Sequence, residues 1–148
     1  MLMLRSDVDI DIRRHGRDSY PEESCGALIG RDGFVVEAMR LPNLMGEEAR
    51  RHFLVGPVEY QVAEKRATEM GGQLIGFYHS HPDHPARPSQ TDLDQAWPTF
   101  SYVILAVQNG EPGTMTSWRL REERSAFDEQ AVSVTGGLDI TTLINRIG

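Results

Sequence analysis

His79 and His81 stand one residue apart at the end of an apolar run in "GFYHSHPDHPARPSQTDLDQAW", residues 76–97, and Asp92 follows eleven positions after the second histidine. In an extended strand side chains alternate between faces, so His79 and His81 share a face, with Cα atoms about 6 to 7 Å apart, and can aim both imidazoles at one point. Two imidazoles and a carboxylate make a borderline-hard donor set that suits Zn²⁺. Three protein ligands leave the fourth tetrahedral position open, the pattern of a catalytic rather than a structural zinc. A plainer reading stays open on these residues alone: His79 ends a strand, His81 lies in a surface loop, and Asp92 serves Ser89 in the capping box "SQTD" of a helix.

The longer pattern, His79-Ser80-His81-Pro82, a six-residue spacer, Ser89 and then Asp92, is much rarer than an isolated His-x-His pair. It resembles the metal-binding signature of the JAMM, or MPN+, metalloprotease family. "PEESCGALIG" looks like that family's first strand with its acidic residue, and "HFLVGPVEYQVAEKRATEMGGQLIGFYHSHP" looks like its central strand, helix and strand. The resemblance covers roughly residues 15–125 and points to the stand-alone prokaryotic type.

The resemblance implies an α/β fold, an α+β sandwich in which a mixed, largely antiparallel sheet is flanked by helices: the MPN/JAB1 fold, itself similar to the cytidine-deaminase-like fold. It implies one zinc per chain on His79, His81 and Asp92, with Glu23 as the catalytic acid and Ser89 beside the metal. Its members hydrolyse the peptide or isopeptide bond after the Gly-Gly tail of ubiquitin-like proteins, and some small prokaryotic members trim sulfur-carrier proteins of that fold. In such a site Glu23 is the general base toward a zinc-activated water and passes the proton to the departing amine. The Ser89 hydroxyl helps to stabilise the developing oxyanion. A slender, extended tail would suit a cleft edge that accepts an added strand. The competing class is a non-catalytic MPN scaffold that only docks partners, or a metal-binding sensor.

The neighbouring residues are weighed on their own chemistry. Glu22 and Glu23 are adjacent, so in an extended segment only one faces the site, and the register with Cys25 and Gly26 selects Glu23. Ser89 can cap a helix and still offer its hydroxyl. Cys25 sits in an apolar run, where a buried, inert thiol is expected rather than a nucleophile. His84 and Asp83 lie between Pro82 and Pro85, which turn this segment away from the strand into an exposed loop. Asp94, two positions after Asp92 on a helix, faces away from it. Tyr78 and Trp97 read as core or cleft-wall aromatics, and His15 and His52 as non-functional. The Pro-Cys-x-x-Cys pair of zinc deaminases and the helical His-Glu-x-x-His of other zinc proteases are both absent.

The elements that must carry these residues follow from pattern and punctuation. Residues 8–18 read about equally well as an amphipathic helix, the reading preferred, or as a short alternating strand, ended in either case by Tyr20-Pro21. "SCGALIG" and "FVVEAMRL" form a hairpin across Arg31-Asp32-Gly33. "HFLV" reads as a short strand, and "GPVEYQVAEKRATEMGG" as a helix with Pro57 in its first turn, Gly71 as its stop, and Val58, Val62 and Ala63 near one face. "QLIGFYHS" is a buried strand, and "HPDHPARP", with three prolines in eight residues, is a loop. "SQTDLDQAW" opens a helix at Ser89, and "SYVILAVQ", "TMTSWRL" and "FDEQAVSV" supply three more strands.

At 148 residues, 39% hydrophobic and 25% charged, the chain can build a core without staples. Residues 1–134 are taken as a single domain and 135–148 as a tail, with Gly136-Gly137 a feature of a flexible end. A net charge of −7 without basic clusters argues against nucleic acid. The longest strongly apolar run, "YVILAV", is too short to span a bilayer, no signal-peptide pattern opens the chain, and one cysteine suits a reducing cytoplasm.

Overall fold

Asp32 and Gly33 both adopt positive φ, 52° and 79°. That is the backbone a two-residue hairpin turn requires, and it is why an Asp-Gly pair joins β2 (Cys25–Arg31) to β3 (Phe34–Leu41). A computed structural model describes residues 1–46, 49 and 55–135, and this hairpin lies near the middle of its sheet. The remaining elements are β1 (Leu2–Arg5), α1 (Ser6–Ser19), α2 (Pro57–Glu69), β4 (Gln73–Pro82), α3 (Gln90–Gln95), β5 (Ser101–Gln108), β6 (Glu111–Leu120), β7 (Phe127–Gln130) and β8 (Val132–Thr135). The expected strand at "HFLV" falls mostly outside the described residues, as do His52 and all of the expected tail except Thr135, which ends β8.

The strand order is β7-β6-β5-β4-β2-β3-β1-β8. Antiparallel pairing joins β2 to β3 and β4, and β6 to β5 and β7, while β4–β5, β1–β3 and β1–β8 are parallel. The sheet is thus mixed with antiparallel pairs in the majority, as expected. Because β4 is hydrogen-bonded on both sides, an added strand could not reach the histidines through a sheet edge.

Alternation along β4 decides what lies on each face. Tyr78 joins Leu28, Val103 and Leu105 in a core closed by Val8 and Ile12 of α1, whereas Phe77 packs with Ala27, Tyr102 and Ala63 of α2. His79 and His81 follow Phe77 in that alternation and so share its face, with α2 and α3.

Three expectations are corrected. The strand β1 was not anticipated: four residues directly before a helix carry too short a pattern. On α2 the buried residues are Ala63 and Ala67, with Tyr60 packed against Phe77 and Phe100, whereas Val58 and Val62 are 67% and 47% exposed. Small side chains let the helix approach the sheet, and the aromatic ring fills the remaining gap. "FDEQAVSV" is two strands rather than one. The chain leaves β6 at Ala131, whose carbonyl accepts from the Leu2 N–H at 2.8 Å, and pairs with β1 at the opposite end of the strand order. A one-residue link between the two end strands means that the sheet curls until its edges meet. Among the described residues no helix is long and apolar enough to cross a membrane.

Candidate metal centre

The second strand starts at Cys25, which pairs with His79, and Ser24 and Ser80 fasten the two strands there. The Ser24 N–H donates to Ser80 Oγ at 2.8 Å, and the Ser80 N–H to the Ser24 carbonyl at 3.1 Å. Just before this clasp, the Glu23 N–H donates to the Ala49 carbonyl at 2.7 Å and its own carbonyl accepts from Asn43 Nδ2 at 3.1 Å. With its backbone held on both sides, Glu23 is only 4% exposed, while Glu22 points to solvent. The alternation argument had selected the same acid.

His79 and His81 converge from β4, their Nε2 atoms 3.1 Å apart. Asp92 closes the triangle, with Oδ1 at 3.3 Å from His79 Nε2 and Oδ2 at 3.3 Å from His81 Nε2. Asp92 gets there by way of α3. Ser89 Oγ accepts from the Asp92 N–H at 3.1 Å, and the Ser89 N–H donates to Asp92 Oδ2 at 2.8 Å, a complete capping box. The capping reading and the clustering reading of Asp92 therefore hold together, because one carboxylate oxygen serves the helix and both oxygens face the histidines.

His81 Nδ1 lies 2.8 Å from the Pro85 carbonyl, which can only accept, so Nδ1 carries a hydrogen, and it is Nε2 that faces the centre, offering a lone pair whenever the ring is neutral. A lone pair, a second imidazole nitrogen and a carboxylate at these separations repel one another unless a proton or a cation lies among them. Four ligands about 2.0–2.1 Å from a tetrahedral ion would stand roughly 3.3 Å from one another, and the three observed contacts match that edge. The donor set fits a divalent ion of the zinc type.

Electrostatics separates the two carboxylates. Burial would raise Asp92, but the facing histidines and the Ser89 N–H outweigh it and hold the group below the usual carboxylate range. Glu23 is pushed up to about 8, chiefly by burial and further by Asp92, with His81 pulling the other way. Burial lowers His79, whereas for His81 burial is outweighed by its hydrogen bonds to Asp92 and Pro85 and by the charges of Asp92 and Glu23, which raise it. Glu23, His79 and His81 also offer ligand atoms within 4.8 Å of one another, so Glu23 lies close enough to share the centre. Its Oε2 is buried and has no hydrogen-bond partner among the described residues.

The residues set aside do other work. Cys25 is buried, its thiol pushed up to about 12 by burial and by Glu23, and is inert. Asp83 accepts from Tyr20 Oη at 2.7 Å and from the Asn109 N–H at 2.8 Å, pinning the loop that leaves β4. His84 is exposed, and Asp94, also exposed, accepts from Gln90 Nε2. Tyr78 is core, whereas Trp97 stands at a cleft rim, 59% exposed, with the Arg124 guanidinium 5.4 Å above its ring. Sequence reasoning missed the Pro85 carbonyl that orients His81, and no residue type could have signalled it, since every residue carries a carbonyl.

A mixed, largely antiparallel sheet packed between helices is the fold of the JAB1/MPN domains. The chain belongs to the prokaryotic homologs of the JAB domain, whose family model matches residues 6–121. It is 33% identical over 111 residues to a desampylase of Haloferax volcanii, covering 71% of this chain and 80% of that one. It is 28% identical over 136 residues to the CysO-cysteine peptidase of Mycobacterium tuberculosis, covering 90% and 91%. A solution structure of a Desulfitobacterium hafniense protein superposes with a TM-score of 0.80 at 30% identity, covering 93% of this chain and 94% of that one. A JAB1/MPN domain protein from Archaeoglobus fulgidus shares the fold at a TM-score of 0.60 and 20% identity, covering 92% and 100%.

Proposed function

We propose that this protein is a zinc-dependent metallopeptidase that hydrolyses the peptide or isopeptide bond after the Gly-Gly tail of a ubiquitin-like or sulfur-carrier protein. The observation that carries the reading is the triangle of His79, His81 and Asp92 beside the buried carboxyl of Glu23. The names of the relatives, a desampylase and a CysO-cysteine peptidase, support the substrate class.

In this reading His79, His81 and Asp92 hold one zinc ion per chain. Asp92 is preferred to Glu23 as the third ligand because both of its oxygens already face the two Nε2 atoms. Bound there, zinc supplies a Lewis acid that makes water acidic near neutral pH. Glu23 takes a proton from the attacking water and delivers it to the nitrogen as the C–N bond breaks, so the acyl half leaves as a carboxylate and the other half as an amine. Burial raises the Glu23 carboxyl above the ordinary carboxylate range, so it holds a proton more readily than an exposed acid, and such a shuttle contributes roughly 10² to 10⁴ in rate. Ser89 Oγ accepts from the Asp92 N–H, which leaves its own hydrogen to donate to the carbonyl oxygen as charge builds on it.

Among the described residues Glu23 Oε2 has no partner, a cost in free energy that a proton-transfer role accounts for and docking alone does not. Residues 1–134 form the catalytic domain in this reading, and a cytoplasmic setting goes with such a substrate.

The test combines metal analysis with hydrolysis of a Gly-Gly fusion. The expected result is one zinc per chain, chelator-sensitive cleavage, and a Glu23→Gln variant that keeps its zinc while turnover falls roughly 10²- to 10⁴-fold. A fully active variant would remove Glu23 from the chemistry. Stoichiometric zinc without cleavage of any fusion would leave a sensor, and no zinc at all a scaffold.

A further inference from the structure

Two clefts flank the histidine pair, and they differ in character. One, of about 320 Å³, reaches His79 and Asp92 and is walled mainly by Tyr60, Phe77, Trp97, Tyr102 and Phe127. The other, of about 530 Å³, holds Glu23, His81 and Ser89 and is bounded by Pro82, His84 and Arg87. Under the proposed reaction, on which this inference rests, the departing nitrogen receives its proton from Glu23. The amine half of the substrate therefore occupies the Glu23 side, and the acyl half lies along the aromatic side.

Arg87 is the only arginine or lysine among the described residues lining the amine-side cleft. Its backbone is fixed. The Arg87 N–H donates to the Pro85 carbonyl at 2.8 Å. The preceding Ala86 is buried, and its carbonyl accepts from Thr116 Oγ1 at 2.7 Å, which in turn accepts from Trp118 Nε1 at 2.8 Å. Pro88 restrains the other side. The guanidinium itself makes no hydrogen bond or ion pair with any described residue. Arg124, in the aromatic cleft, is by contrast committed to the Ala96 carbonyl at 2.8 Å and to the Trp97 ring. Arg87 is two residues from Ser89, hence within about 7 Å between Cα atoms, a span its side chain readily bridges.

What that cation would meet depends on the leaving group. An α-amino acid released from a glycine carries its carboxylate two bonds from the departing nitrogen. A lysine side chain released from an isopeptide carries apolar methylenes at the same place. A guanidinium fork pairs with a carboxylate through two parallel N–H···O bonds and gains nothing from methylenes.

We propose that Arg87 binds the free α-carboxylate of the leaving amino acid, making the site selective for removal of a single carboxy-terminal residue from a Gly-Gly tail over release of a lysine side chain. The zinc-loaded full chain is offered a ubiquitin-like protein whose Gly-Gly tail is extended by one alanine, the same protein as its carboxamide, and the same tail joined to the ε-amine of a lysine peptide. The free acid should be cleaved roughly 10- to 100-fold faster in kcat/KM than the other two, the size expected of hydrogen bonds to a charged group. Arg87→Gln should abolish the preference between acid and carboxamide, and Arg87→Lys should restore part of it. Each preference is a ratio on one protein sample, so a loss of folded material cancels. Equal rates on acid and carboxamide, or a preference that survives Arg87→Gln, would overturn the role of Arg87. Cleavage of none of the three would bring down the Gly-Gly hydrolase reading itself, and this proposal with it.

Discussion

Asp92 both caps α3 and faces the two histidines, and the proposed reaction would give Ser89 a second use beside its cap. A carboxylate has lone pairs enough for a backbone N–H and two imidazole nitrogens, and a hydroxyl can accept from a helix while it donates elsewhere. Ser89→Ala should therefore do two separable things. Loss of the cap should lower stability by about 0.5–2 kcal/mol in a denaturant melt, and loss of the donor should lower kcat about 10²- to 10³-fold at similar KM. A variant that melts earlier but turns over normally would leave Ser89 a cap and nothing more. At this scale much of the cluster was legible, because His, Asp, Glu and Ser announce their chemistry by type and the i, i+2 alternation puts two imidazoles on one face. The choice of Glu23 over Glu22 followed from the same alternation. What stayed hidden is backbone: the Pro85 carbonyl behind His81 and the clasp between Ser24 and Ser80 depend on where peptide groups come to lie, which residue type does not encode.

Among the elements, the β2–β4 pair matters most, because it sets Glu23 against the histidines. Gly26 pairs with Tyr78, and a Cβ built at Gly26 would collide with both the Tyr78 ring and the Met39 backbone carbonyl. Gly26→Ala should cost roughly 1–3 kcal/mol or more, as overpacking does, and a urea midpoint equal to wild type would show that both the ring and the Met39 strand give way freely. The hairpin, α2 and the strand bearing the histidines were readable from turn residues and apolar runs. The buried face of α2 was only partly so: Val58, Val62 and Ala63 were grouped near one face, but of these only Ala63 is buried, with Ala67 and Tyr60 facing the sheet, since what fits beneath a helix depends on the surface opposite it. "FDEQAVSV" has the composition of one strand. Only its pairing partners, β6 for one half and β1 for the other, break it at Ala131, and partners are not a local property.

For the whole molecule, the face away from the metal centre predicts a pH response. His15 lies on the buried face of α1, its Nδ1 2.7 Å from Tyr78 Oη. Burial, with help from Arg40 and against Asp18, lowers it from 6.5 to about 4. The folded state thus favours the neutral ring, while the unfolded chain takes up a proton near pH 6.5. The stabilisation is complete above that value and is lost as the pH falls toward about 4, by up to about 3 kcal/mol. Urea melts near pH 7 and near pH 5 should separate in wild type and move closer together in His15→Asn. An unchanged separation would mean that other groups carry the acid sensitivity. The same face holds β1, which has β3 on one side and β8 on the other. During synthesis β1 emerges first and β8 last among the described strands, so the seam at Ala131 cannot close until nearly the whole described chain has left the ribosome. Final assembly must therefore wait for contacts between residues far apart in sequence, a topology that folds slowly. Until then the nascent chain offers an unpaired strand edge to any passing chaperone.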